Sequence, residues 1–249
     1  GVDRALSVDV NDGFAFVAGY TQSAAFPILS PYQSSLNDTA APTDAFISKF
    51  STSGSLLIFS TYLGGSDADY ATGLDHFTLD GIDAIYLAGY TSSTDLPVLN
   101  AYQTSWAGNF DAFLTKLSST GSVLLFSTYL GGGGNDYARA VDSLFIVGDS
   151  ESENFPTYNS YQSSRAGQFD AFVTKITSSG SFLTLSSYLG GSEDDRANDV
   201  DGSALIALVI GTTASDDFPT KSGYQSSRAG GTDAFLTHFY ITGKTINYS

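Results

Sequence analysis

The chain has 249 residues, with 26 Asp or Glu against 10 Lys or Arg, so its formal net charge at pH 7 is −16. An acidic surface disfavours nucleic acids and anionic membranes as partners, because phosphate contacts require clustered Lys and Arg. The sequence has no cysteine, which excludes disulfides, thiol catalysis and cysteine-based zinc sites, and it has no apolar run of transmembrane length, so we expect no membrane insertion of this segment.

A set of short motifs recurs four times along the chain in the same order. The landmark Asp-Ala-Phe begins at residues 44, 111, 170 and 233. A period of about sixty residues with strand-like content indicates an array of small sheets. We therefore divide the chain into four units within one domain, at residues 1–62, 63–129, 130–188 and 189–249.

Each unit is predicted to form four short antiparallel strands. In the first unit they span residues 5–10, 14–20, 44–50 and 56–62, which are rich in aromatic and β-branched residues. Gly54 and Gly121 end Ser- and Thr-rich segments where a hairpin turn requires positive φ. Sustained helical periodicity with good caps is missing, so the predicted fold class is all-β.

Repeated four-stranded units favour a β-propeller, in which each unit is one blade and its first strand lines the central axis. Small residues in the first strand fit that crowded position, and large ones later in the unit fit the gaps between blades. The small residues are Ala5, Ala71, Ala138 and Ala197, and the large ones in the first unit are Phe46, Phe50, Phe59 and Tyr62. Four blades can form a closed ring or an arc of a larger ring, and both alternatives stay open.

The recurring phrases also resemble a known repeat. They are Gly-Tyr-Thr at 19–21, Phe-Pro at 26–27, Tyr-Gln at 32–33, Asp-Ala-Phe-x-x-Lys at 44–49 and Ser-Thr-Tyr-Leu-Gly-Gly at 60–65. Together they resemble the bacterial and archaeal β-propeller repeat known as the SBBP family, over essentially the whole chain. The resemblance implies a propeller, usually within a large secreted or surface-attached protein, and it carries over no catalytic residues. The family's name refers to more blades than the four found here.

Acidic turns follow the Gly-Gly pairs, and their carboxylates are candidate calcium ligands. Ca²⁺ takes roughly six to eight oxygen ligands, although no turn matches the EF-hand pattern or the nonapeptide calcium repeat. The candidate ligands are Asp67, Asp69, Asp136, Glu193, Asp194 and Asp195. The alternative is a turn between blades in which Asp caps backbone amides.

Other recurring residues are predicted to be structural. Asp44 and its counterparts would tie a loop, and Lys49 and its counterparts would cover apolar surface with their stems. The segment from Phe-Pro to Tyr-Gln would cover the blade edge, with Pro preventing strand pairing. Alternatively, its aromatic rings could pack against sugars. The candidate ligand- or partner-binding residues are Trp106, Tyr32, Tyr102, Tyr161 and Tyr224, although Trp106 could equally pack against the core.

Fourfold motifs without a unique catalytic cluster predict a non-enzymatic, secreted or cell-surface scaffold. It would bind a protein or polysaccharide at the cell surface or self-associate into a filament or matrix, with Ca²⁺ as an optional stiffening ion. One alternative is a carbohydrate-active enzyme, which needs two facing carboxylates. Glu151 and Glu153 lie close together in the sequence, but the sequence selects no single pair of carboxylates. Another is a lectin-like glycan binder that uses Trp106 and the Tyr-Gln segments. His76 and His238 have no matching His or Cys cluster, which disfavours zinc.

Overall fold

The computed structural model describes residues 1–37, 43–242, 245–247 and 249. Within these residues the chain forms fifteen strands and no helix, so the predicted all-β class is confirmed. The first eight strands are β1 (Asp3–Asn11), β2 (Phe14–Thr21), β3 (Asp44–Ser51), β4 (Leu57–Leu63), β5 (Asp69–Leu79), β6 (Ile82–Thr91), β7 (Asp111–Ser118) and β8 (Leu124–Leu130). The other seven are β9 (Asp136–Asp142), β10 (Phe145–Ser150), β11 (Asp170–Ile176), β12 (Leu183–Leu189), β13 (Asp195–Gly202), β14 (Ile206–Thr213) and β15 (Asp233–Tyr240).

The strands form four antiparallel sheets, each built from strands that are consecutive in the chain. Sheet 1 contains β1–β4, sheet 2 contains β5–β8, sheet 3 contains β9–β12 and sheet 4 contains β13–β15. In every sheet the neighbours pair in chain order, as a meander of hairpins requires. The four strands predicted for the first unit agree with β1–β4 to within two residues at each end.

The prediction of four strands in every unit is wrong for the last one, because sheet 4 has three strands among the described residues. Ile246 forms a bridge with Phe239, and the Ser249 hydroxyl lies 2.6 Å from that of Thr237, as the Ser60 hydroxyl lies 2.7 Å from that of Ser48 in sheet 1. Ser249 thus occupies the position equivalent to Ser60.

The hairpins between the third and fourth strands turn at glycines, as predicted. Gly54 and Gly121 both have φ of 68°, a conformation that L side chains rarely adopt. Gly121 is restricted for a second reason, since a Cβ there would lie 2.3 Å from the ring of Phe59 in the preceding sheet. The turn of one sheet therefore packs directly on the aromatic core of its neighbour.

The sheets stack face to face in chain order, and an apolar cluster fills each of the three gaps. The gap between sheets 1 and 2 contains Phe16 and Leu74, that between sheets 2 and 3 contains Leu114 and Val141, and that between sheets 3 and 4 contains residues such as Val173. The first strands β1, β5, β9 and β13 pack successively against one another. Burial of a large apolar side chain contributes roughly 1.5–3 kcal/mol, so the gaps between sheets hold the stabilising core.

The repeat makes it possible to compare one position in all four sheets. The fifth residue after the Asp of Asp-x-Ala is Val8, Leu74, Val141 or Val200. In sheets 2, 3 and 4 this residue is buried against the preceding sheet. In sheet 1 no other sheet of the described residues packs on this side, and Val8 is 66% exposed. We call the surface around Val8 the back face of sheet 1.

The opposite end of the stack shows the complementary pattern. The third residue after the Asp of Asp-Ala-Phe is at most 1% exposed in the first three sheets, where it is Ile47, Leu114 or Val173. In sheet 4 this residue is Leu236, and it is 46% exposed. Ile210 beside it is 47% exposed. We call this surface the front face of sheet 4. The described residues thus form an open array, and a closed four-bladed ring is not detected among them.

We expect matched substitutions to distinguish a covered face from a free one. Leu114→Ala should lower the free energy of unfolding by about 2–5 kcal/mol, because it opens a cavity between two sheets. Leu236→Ala at the equivalent position should change it by less than about 1 kcal/mol. Urea denaturation at protein concentrations where the chain is monomeric measures both values. Equal losses would show that another part of the protein covers Leu236.

Candidate functional site

The acidic turns are held by one buried carboxylate each. Asp69, the first residue of β5, is fully buried, and its Oδ2 accepts hydrogen bonds from the amide of Gly65 at 2.8 Å and the hydroxyl of Ser93 at 2.9 Å. The same bonds recur at Asp136, from Gly132 and Ser152, and at Asp195, from Gly191 and Ser215. The last residue of the Asp-containing turn therefore caps backbone amides, which was one of the two predicted roles.

A second carboxylate lies on the other side of each Gly-Gly pair. Asp111, at the start of β7, accepts hydrogen bonds from the amides of Ala107 and Gly108 and from the side-chain amide of Gln103. Gln103 in turn accepts a hydrogen bond from the amide of Gly131 through Oε1 at 3.0 Å. The glutamine of the Tyr-Gln phrase thus links the long connection to the edge of its sheet, and the Asp ties a loop as predicted.

These two carboxylates explain why the turn needs glycine. A Cβ on Gly64 would lie 2.6 Å from Oδ2 of Asp69 and 2.8 Å from Cγ of Asp44, too close for any side chain. Burial raises the pKa of Asp69 to about 7, although hydrogen bonds from Thr91, Gly65 and Ser93 act in the opposite direction. Burial also raises the pKa of Asp111 to about 7. An equivalent pair of acids flanks Gly131 and Gly190, so two aspartates face one glycine in each of these three turns.

The other candidate calcium ligands lie on the surface. Asp67 and Glu193 are exposed, and their main-chain amides donate to Ser93 and Ser215. Asp194 is 3.4 Å from the guanidinium of Arg196. Among residues 1–37, 43–242, 245–247 and 249, no group of three or more His, Asp or Glu side chains is placed to hold a metal ion. Calcium binding by these turns stays a prediction.

The Tyr-Gln segments run along the outer edge of sheets 1–3, as predicted for an edge cover. In sheet 1, single bridges join Leu29 to Ser60 and Gln33 to Tyr62 on β4. The tyrosines of these segments differ in exposure: Tyr32 packs against the cluster between sheets 1 and 2, while the others are exposed. The exposed ones are Tyr102, Tyr161 and Tyr224. Each belongs to the connection of its own sheet, so glycan binding through them stays a prediction.

Trp106 is half-buried and packs against the cluster between sheets 1 and 2, which agrees with the packing alternative. His76 is buried, stacks on Phe16 with ring centroids 4.3 Å apart, and lies 3.1 Å from the carboxylate of Asp83. Both side chains therefore serve contacts between sheets 1 and 2 in this structure.

The ammonium groups of the repeated lysines lie over aromatic rings, whereas the sequence predicted that the lysine stems cover apolar surface. Nζ of Lys49 lies 4.2 Å from the ring centroid of Phe14. Nζ of Lys175 lies 3.9 Å from that of Phe145, and it also donates hydrogen bonds to the carbonyls of Ser143 and Ser203. Because Ser203 precedes β14, this last contact joins sheet 3 to sheet 4.

The sequence did not lead us to predict a role for one recurring aspartate. An Asp lies six residues after the Asp of Asp-x-Ala in every unit, and two of these residues bond to the next sheet. Asp75 accepts a hydrogen bond from the amide of Ser143 at 2.9 Å, and Asp142 accepts one from the amide of Gly202 at 2.6 Å. Burial raises the pKa of Asp75 to about 7. The constant spacing of six residues was the signal that could have identified it.

No protein-family model matches the sequence, and no curated protein matches it either. The resemblance to the SBBP repeat therefore stays a prediction. Among the residues that the structure describes, no helix has the length and apolarity needed to cross a membrane.

We expect Asp69→Ala to lower the free energy of unfolding by about 1–3 kcal/mol, because it leaves buried donors at Gly65 and Ser93 without an acceptor. Asp67→Ala, two residues away on the surface, is the matched control and should have little effect. Urea denaturation measures both.

Calcium binding by the turns would give a different result. The melting temperature of the wild-type chain would then rise with added Ca²⁺, and Asp67→Ala would reduce that rise. An unchanged melting temperature on addition of Ca²⁺ and of EDTA would exclude the calcium prediction.

The raised pKa values predict an inverse dependence of stability on pH. Because the pKa of Asp69 and Asp111 is about 7 in the folded state and 3.8 is the ordinary value, the folded state binds more protons between about pH 4 and pH 7. The free energy of unfolding should therefore fall as the pH rises through this window, by at most about 1.4 kcal/mol per pH unit for each group. Asp111→Asn, which does not titrate, should reduce the slope. A stability that increases with pH would contradict the prediction.

Proposed function

We propose that this chain is a non-enzymatic scaffold that associates end to end with further copies of itself. The observation that supports this proposal is the pair of free faces at the two ends of the stack. The back face of sheet 1 exposes Val8, and the front face of sheet 4 exposes Ile210 and Leu236. At the equivalent positions of the inner sheets, these residues are buried against a neighbouring sheet.

The two free faces are expected to fit each other, because the same pair of faces is in contact between neighbouring sheets within the chain. Within the chain, the front face of each sheet packs on the back face of the next, as Leu114 and Val141 do in the gap between sheets 2 and 3. The front face of sheet 4 therefore resembles the surfaces that cover the positions equivalent to Val8. A contact between these faces joins two different surfaces, and such heterologous contacts generate rings or open filaments.

The charge of the chain opposes this association and makes it dependent on salt. A formal net charge of −16 gives long-range repulsion between copies, which is screened beyond roughly 8 Å at physiological ionic strength. The apolar contact acts at short range and is not weakened by salt. We therefore expect association to strengthen when the ionic strength is raised.

The repeated carboxylates support a structural role, since Asp69, Asp111 and their counterparts accept hydrogen bonds from the backbone of their own turns. The proposed location is extracellular or at the cell surface. Its support is the sequence, which has few charged residues and is rich in Ser, Thr, Gly and Tyr, and the resemblance to a repeat of secreted proteins. The exposed loops would then contact a protein or a polysaccharide there.

The test uses one charged substitution on each face. Val8→Asp leaves the front face of sheet 4 intact, and Leu236→Asp leaves the back face of sheet 1 intact. Each variant alone should be monomeric in analytical ultracentrifugation, with its association weakened at least about tenfold. A mixture of the two should form a 1:1 dimer and nothing longer, because it contains one competent pair of faces.

The matched control is Val123→Asp, which alters an exposed apolar residue in a hairpin turn, away from both faces. It should associate like the wild-type chain. A wild-type chain that stays monomeric at high concentration and high salt, or variants that associate normally, would overturn the proposal.

A further inference from the structure

A pocket lies between sheet 2 and the hairpin that joins β11 to β12 in sheet 3. Its volume is about 540 Å³, and its lining includes Ile82, Asn100, Lys116, Phe126, Ser178 and Ser181. Ile82 and Asn100 are exposed, whereas Lys116 is 3% exposed and Phe126 is 1% exposed. The pocket therefore has a mouth that is open to solvent and a buried lysine in its wall.

The ammonium group of Lys116 lacks the partners that a buried cation requires. Its Nζ lies 5.2 Å from the ring centroid of Tyr86. Among residues 1–37, 43–242, 245–247 and 249, no carbonyl or carboxylate accepts a hydrogen bond from this Nζ. Burial lowers the pKa of Lys116, while the negative charge of Asp80 acts in the opposite direction. A buried charge is costly unless it is paired and hydrogen-bonded, so an acceptor from outside the chain would stabilise this site.

The equivalent lysine of sheet 3 shows how such an ammonium group is normally satisfied in this fold. Nζ of Lys175 donates to the carbonyl of Ser143 at 3.1 Å and to that of Ser203 at 2.9 Å. Ser143 lies seven residues after the Asp of Asp-x-Ala in sheet 3, and Ser203 lies eight residues after that of sheet 4. One acceptor thus comes from the lysine's own sheet and the other from the next sheet.

Around Lys116 the two equivalent carbonyls are bonded to other donors. The first belongs to His76, and it accepts a hydrogen bond from Nδ2 of Asn11 at 2.7 Å. The second belongs to Leu144, and it accepts one from the amide of Ile176 at 3.2 Å. Strand β5 has 11 residues against 7 in β9, so the first carbonyl lies within a strand rather than in a turn. Lys116 therefore differs from its counterpart because of the longer hairpin of sheet 2.

The other polar groups of the pocket are hydroxyls and a side-chain amide. The hydroxyls of Ser179 and Ser181 lie 2.8 Å apart. Ser178 adds a third hydroxyl, which forms no hydrogen bond within the described part of the chain. Nδ2 of Asn100 donates to the carbonyl of Leu125 at 3.2 Å, which holds this amide at the mouth of the pocket. These groups can both donate hydrogen bonds and accept them.

One cation, several hydroxyls and an apolar wall together suit a sugar that carries one carboxylate. A single ammonium group balances a single negative charge. The nearby Asp80 and the net charge of −16 disfavour a more highly charged anion such as phosphate. Ile82 and Phe126 offer apolar surface to the C–H groups of a sugar ring. The volume of the pocket also falls within the range of roughly 300–1,000 Å³ that is usual for small-molecule sites.

We propose that this pocket binds a hexuronate, a six-carbon sugar acid, either as a free sugar or as one residue of an acidic polysaccharide. The carboxylate accepts hydrogen bonds from Nζ of Lys116, and the sugar hydroxyls contact the turn at residues 178–181 and the amide of Asn100. The proposal does not depend on end-to-end association, because both walls of the pocket belong to inner sheets.

The test is titration of isotope-labelled protein with sodium glucuronate and with sodium galacturonate, followed by NMR. We expect saturable binding of at least one of them, with a dissociation constant on the order of 1 mM and shift changes at Lys116, Asn100 and Ser178. Glucose and inorganic phosphate should bind at least about tenfold more weakly. Absence of saturable binding of both sugar acids, or equal binding of glucose or phosphate, would overturn the proposal.

The trisaccharide of galacturonate distinguishes the two sources of the ligand. Binding at least about tenfold tighter than that of the monosaccharide assigns a polysaccharide, and equal binding assigns a free sugar acid.

Variants of the protein locate the site. Lys116→Met should weaken hexuronate binding at least about tenfold. It should also maintain or raise the melting temperature, because it replaces an unpaired buried charge with an apolar chain of similar length. The matched control Lys175→Met should lower the melting temperature, since two carbonyls lose their donor, and should leave binding unchanged.

Unchanged hexuronate binding by Lys116→Met would contradict the assigned site. Val8→Asp should bind hexuronate like the wild-type chain, so failure of the end-to-end association is distinguished from failure of this inference.

Discussion

The structure depends on the mutual burial of facing sheets. None of the four sheets can cover its own two apolar faces, so the stability of each comes from residues such as Phe16, Leu114 and Val173 that lie in the gaps. Nearest-neighbour contacts of this kind need no closure of the stack. They also leave its two ends uncovered, and from this the exposure of Val8 and Leu236 follows.

Polar contacts hold the turns in place and join neighbouring sheets, in addition to the apolar packing. Each Gly-Gly turn is held between two buried carboxylates, such as Asp44 and Asp69, and the glycine is required because no Cβ fits between them. Further bonds cross directly from sheet to sheet, including that of Asp75 to Ser143 and that of Lys175 to Ser203. Burial raises the pKa of acids such as Asp69, Asp75 and Asp111.

The proposed association arises from comparison of the last sheet with the three before it. At the free front face, Leu236 and Ile210 take positions that are buried elsewhere. In the first three sheets the same positions are buried against the next sheet.

The sequence by itself determined the all-β class, the four units, the strands of the first unit to within two residues, and the glycine turns. These features depend on local preferences and on a repeat that is visible in the letters. It also predicted that the Asp of Asp-Ala-Phe ties a loop, as Asp111 does through the amides of Ala107 and Gly108. Only the tertiary structure showed that Asp69 caps the amide of Gly65, that Asp75 joins two sheets, and that Val8 and Leu236 are exposed. These properties depend on which sheet lies opposite, and the sequence pattern of a single unit does not show which other unit it contacts.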